Sequence, residues 1–116
     1  MNDSKPQSKI GKNMEFEHWN EEQDGALTEA AMRRKFEERG YVVNRYIYPF
    51  GTYFPPHTHE VDKIDGVLAG RFELEMGGKS VVLEAGDTLV IPKGAVHSAK
   101  VVGGESVISL DAIKKI

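Results

Sequence analysis

In the stretch "HTHEVDK", residues 57–63, two histidines stand one residue apart and a lysine closes the run. On extended backbone residues i and i+2 leave the same face, about 6.5–7 Å apart along the chain, so His57 and His59 are expected to point together. Two imidazoles converging from one strand can grip one ion, and a third donor has to come from elsewhere in the fold. His97 is the further histidine in the strand-rich part of the chain and the candidate for that third ligand. The chain has no cysteine, which excludes disulfides, thiolate catalysis and zinc-thiolate sites. A histidine set without thiolate suits iron, manganese, nickel, copper or zinc, with geometry and not affinity deciding among them. His18, the fourth histidine, adjoins Trp19 and reads as a surface or packing residue rather than another ligand.

Lys63 shares the odd-numbered parity of His57 and His59, and so does Asp65, whereas Glu60 and Asp62 have the opposite parity. An ammonium has three donors and no acceptor, so a protonated Lys63 cannot act as a ligand. Two readings stay open: Lys63 forms an ion pair with Asp65, or Lys63 is a catalytic candidate that, together with Asp65, binds a substrate. Three neutral imidazoles leave the charge of a divalent ion uncancelled. A nearby ammonium then either loses its proton or favours an anionic ligand, so the expected partner is a small anion. On this reasoning Lys63→Glu should raise metal retention and lower anion affinity.

The elements that must position these residues change period at Tyr41. Before it, "ALTEAAMRRKFEERGY" is a helix signal: Thr28 as N-cap, Glu29 at the positive end of the dipole, Leu27 placed to staple Met32, and Gly40 closing the end after Arg39. Ala31, Met32 and Phe36 fall on one face, so this helix packs against something apolar. After it, "YVVNRYIY" is rich in aromatic and β-branched residues, and "RFELEM" alternates Phe72, Leu74 and Met76 against Arg71, Glu73 and Glu75. Gly77 and Gly78 join "RFELEM" to "KSVVLE" as a tight hairpin. Turn signals at 84–87, 92–95 and 102–105 separate "TLVI", "VHSAKV" and "SVISL". Several short strands after one helix predict an all-β fold, an antiparallel sandwich or barrel of the jelly-roll kind.

At 116 residues, with a net charge of −3 and a pI near 5.8, the chain reads as one soluble domain with a small molecule or a second copy of itself as partner. No global field attracts nucleic acid or an anionic membrane, and no apolar run approaches the roughly 20 residues that span a bilayer. The opening "MNDSKPQSKIGKN" lacks the apolar stretch of a secretory signal, so a cytoplasmic location is expected. Residues 1–13 have too little apolar surface to offset ordering and read as a flexible tail, with a single domain over 14–116.

Two segments resemble the cupin family. Residues 51–70, "GTYFPPHTHEVDKIDGVLAG", fit the first cupin motif at Gly51, His57, His59 and Gly70, with Lys63 in the glutamate position. Residues 86–97, "GDTLVIPKGAVH", fit the second at Gly86, Pro92, Gly94 and His97, with Val101 at the trailing asparagine position. The resemblance covers about residues 41–110 and implies a double-stranded β-helix, a small jelly-roll barrel with one short N-terminal helix outside it. It also implies that His57, His59 and His97 hold a divalent metal in the barrel mouth, and that the chain pairs as a homodimer through sheet edges and the N-terminal helix. Cupins include metal-dependent dioxygenases and isomerases as well as non-catalytic small-molecule binders or sensors, so the fold leaves the activity open. A purely structural, metal-free polar network of the histidines and Lys63 is the third possibility.

Overall fold

Short alternating segments separated by glycine turns form two antiparallel sheets in the computed structural model, which describes residues 14–115. The expected tail, 1–13, lies outside the described residues. In chain order the elements are β1 (Glu15–His18), α1 (Glu21–Asp24), α2 (Glu29–Glu38), β2 (Tyr41–Tyr48), β3 (Tyr53–His57), β4 (Lys63–Ala69), β5 (Arg71–Met76), β6 (Lys79–Leu83), β7 (Asp87–Ile91), β8 (His97–Val102) and β9 (Val107–Lys114). One sheet runs β1-β7-β4-β9-β2 and the other β3-β8-β5-β6. Together they make the double-stranded β-helix barrel of a jelly roll. In β5, Phe72, Leu74 and Met76 are buried and Arg71 and Glu75 exposed, as the alternation requires. Gly77 and Gly78, at φ 62° and 79°, turn β5 back into β6 in a conformation that favours glycine at both positions.

Two apolar layers result. Inside the barrel Phe72, Leu74, Leu83, Leu89, Ile91 and Val107 pack from both sheets. Outside the larger sheet, α2 lays Ala31, Met32 and Phe36 against Tyr41, Val43, Ile64, Leu110 and Ala112. Thr28 caps α2 by accepting the Ala31 N–H at 3.0 Å, Leu27 packs into the same cluster as Met32, and Gly40 follows the helix at φ 93°. The helix sits close because β4 carries Gly66 beneath it. A Cβ there would meet Met32 Sδ at 2.7 Å and Phe36 Cζ at 2.9 Å. The apolar face of α2 is thus packed on its own sheet.

Two elements were missing from the sequence reading. A single helical turn, α1, precedes α2, and Asn20 caps it by accepting from the Glu22 and Gln23 N–H groups. β1 adds to the larger sheet beside β7 although all four of its residues are exposed, so no apolar alternation marks it.

Candidate metal centre and its cavity

The register of the smaller sheet brings the first two ligand candidates together. His57 ends β3, His97 opens β8, and the two are cross-strand partners. Their ring centroids are 4.2 Å apart. His59 joins them from the β3–β4 connection and not from a continuous strand, because β3 ends at His57 and its register has already shifted after Phe54. The expectation of a single extended strand carrying both histidines is therefore corrected, while their convergence stands. The connection is anchored to the turn before β8: Gly94 N–H donates to His59 O at 2.9 Å and Lys93 N–H to Asp62 Oδ1 at 2.7 Å. Asp62 thus holds the loop that carries His59.

Hydrogen bonds prepare the rings for ligation. His57 Nδ1 lies 2.7 Å from Pro55 O, and His97 Nδ1 lies 3.0 Å from Ala95 O. A carbonyl only accepts, so each Nδ1 carries a proton, and in the neutral ring the lone pair then lies on Nε2. His59 Nε2 is buried with no hydrogen-bond partner. Burial, followed by the Lys63 charge, pushes the His59 pKa down, and burial does the same for His97, which favours the neutral rings that a metal needs. One donor atom from each of His57, His59 and His97 lies within 4.8 Å of the others. An unpartnered buried nitrogen beside two correctly protonated rings fits a divalent metal ion.

The three histidines line one end of a cavity of about 150 Å³, whose other walls are of two kinds. Tyr48, Phe54 and Phe72 form an aromatic wall, with Tyr48 and Phe54 edge to face at 5.0 Å between centroids. Lys63, Asp65 and Asp111 form a polar wall. Lys63 is almost fully buried, its Nζ 2.9 Å from Asp65 Oδ1 and 3.0 Å from Asp111 Oδ1. Burial alone would lower the pKa of this ammonium, and the two carboxylates more than reverse it, so the net shift is upward and Lys63 stays charged. The ion pair with Asp65 is present, but the lysine adds no unbalanced positive charge because a second carboxylate answers it.

Asp111 was missed by the sequence reading, which ended the strand region near residue 110. The signal was available in "SVISLDAIKK", where Asp111 shares parity with the buried Val107 and Ser109 and is the single acidic residue of a mostly apolar strand. In the structure it is the register partner of Asp65 across β4 and β9. Burial, followed by the charge of Asp65, raises its pKa above the ordinary carboxylate range, with Lys63 opposing. Tyr48 is likewise pushed upward, by burial first and then by Asp111 and Asp65, and is a neutral phenol. His18 is far from this chemistry in role: its exposed ring pairs with Asp87 beside β1. No helix among the described residues is long and apolar enough to cross a membrane.

Solved structures share this architecture. A cupin protein from Bacteroides fragilis is 26% identical, with 66% of each chain covered and a TM-score of 0.58. KdgF from Halomonas sp. is 22% identical over 90% of this chain and 82% of that one, with a TM-score of 0.58. A conserved protein of unknown function from Streptococcus pyogenes is 21% identical, with 66% of each chain covered and a TM-score of 0.59. No curated protein sequence matches the chain. The family model described as "Cupin domain" matches residues 44–113, more than half of the chain, including His57, His59, His97 and the residues of the polar wall. The chain belongs to the cupin family.

Proposed function

We propose that this cupin holds a divalent metal through His57, His59 and His97 and binds or acts on a small anionic metabolite in the adjoining cavity. The observation that carries the reading is the buried, unpartnered Nε2 of His59 beside two rings whose Nδ1 atoms are tied to carbonyls. Iron, manganese, nickel, copper and zinc all suit the donor set. The ion would supply Lewis acidity and open coordination positions, the requirements of a dioxygenase or an isomerase. Around it, neutral imidazoles and a polar wall of one ammonium and two carboxylates leave one net positive charge, which a singly charged ligand would neutralise. Tyr48, Phe54 and Phe72 offer its apolar part a surface. The protein would act in the cytoplasm as a homodimer, with exposed Val42, Tyr46 and Ile47 of edge strand β2 in the contact.

A non-catalytic binder or sensor is the second reading, favoured by Lys63 standing where the resemblance places a glutamate ligand. Metal analysis of tag-free protein, followed by dioxygen-uptake screening with small carboxylates, thiols and diketones, separates the two. One metal per chain in the wild type, lost in His97→Ala, is the expected result, and tight metal without turnover assigns the binder. Equal trace metal in both proteins would refute the site.

A further inference from the structure

The polar wall holds two carboxylates and one ammonium, and the two carboxylates are not equivalent. Asp65 and Asp111 face each other across β4 and β9, bridged by Lys63 Nζ. Both line the cavity, but only 8% of the Asp65 side chain is exposed, against 24% for Asp111, so Asp111 is the more open of the two. One ammonium balances one carboxylate. The second carboxylate is free to take up a proton, and the more exposed of the two is the one that a ligand can reach.

We propose that Asp111 is the proton acceptor of this cavity, taking the proton of a weakly acidic O–H group on the bound ligand and leaving the ligand as an oxyanion facing the histidine trio. This rests on the reading of the site given above and names its ligand class: small molecules with an enol, hydroxyketone or hydroxamic O–H attached to an apolar group. The ligand's O–H bond breaks, its electron pair stays on the ligand oxygen, and a new O–H bond forms on the Asp111 carboxylate. Nothing is oxidised or reduced. Lys63 and Asp65 from β4, Tyr48 from β2 and His59 from the β3–β4 connection are the titratable groups facing Asp111. Tyr48 is neutral, and Lys63 stays paired with Asp65 whichever state Asp111 adopts.

The test counts protons. Full-length protein loaded with Zn²⁺ is titrated calorimetrically, in two buffers of different ionisation enthalpy at about pH 8, with benzohydroxamate, which enters protonated, and with benzoate, which enters ionised. In the wild type the hydroxamate proton stays on the protein. In Asp111→Asn it is expelled, so about one more proton per bound ligand reaches the buffer. Benzoate gives the same count in both proteins. Should Asp111→Asn fail to fold, the infrared difference spectrum of the wild type on adding benzohydroxamate must show a protonated carboxyl group, and its absence overturns the proposal. Binding of both probes with identical proton counts in the two proteins overturns the role of Asp111 alone. Failure of Zn²⁺ to bind the wild type overturns the metal reading, and this proposal with it.

Discussion

Replacing Lys63 with methionine keeps most of the side-chain volume and removes a charge shared by two carboxylates. Breaking a buried ion pair by deleting one partner costs about 3–5 kcal/mol, because the remaining charge loses its compensation without regaining water. Asp65, with 8% of its side chain exposed, would bear that cost nearly in full. Asp111, at 24%, keeps partial hydration and adds less. The expected loss for Lys63→Met is therefore about 3–4 kcal/mol near neutral pH, a fall of roughly 10–15 °C in Tm for a domain of this size. In the variant the buried carboxylates have lost their counter-ion, so protonation relieves the cost and the deficit against wild type should shrink as pH falls. Urea unfolding of both proteins at neutral and at mildly acidic pH measures this directly. A deficit below about 1 kcal/mol that does not vary with pH would mean that Lys63 is not the counter-ion of a buried carboxylate pair. The same geometry revises the sequence-based expectation for Lys63→Glu, which would set three carboxylates side by side and destabilise the fold whatever it does to metal retention.

Gly66→Ala should lower stability by about 1–2 kcal/mol in urea unfolding, because the overpacking against fully buried Met32 and Phe36 exceeds the entropic gain of leaving glycine. An unchanged or raised midpoint would show that α2 is free to move off the sheet. Lys63 and Tyr48 both have raised folded pKa values, so their contribution is complete below their ordinary values, near 10, and is lost as pH rises through the folded ones. Thermal scans should therefore show stability falling above about pH 10, less steeply in Tyr48→Phe; identical alkaline limbs would refute the Tyr48 share.

The barrel strands and α2 were legible in the chain because their determinants are local. Alternation in "RFELEM", paired glycines after it, and Thr28 and Gly40 at the ends of the helix act within a few residues. β1 and α1 were not legible: an exposed strand has no burial pattern, and a single capped turn is too short for a helical period. Residue type and motif spacing named His57, His59 and His97, yet their convergence depends on the pairing of β3 with β8 and on a loop pinned to a distant turn. Lys63 marks the boundary between the two kinds of information. Strand parity places it on the cavity side of β4, but its charge balance comes from Asp111, 48 residues away in sequence and adjacent only through the β4–β9 register. A side chain's direction is set by its own strand. The electrostatics of a buried group are set by whatever other strands bring within a few ångströms, and only the tertiary fold decides that.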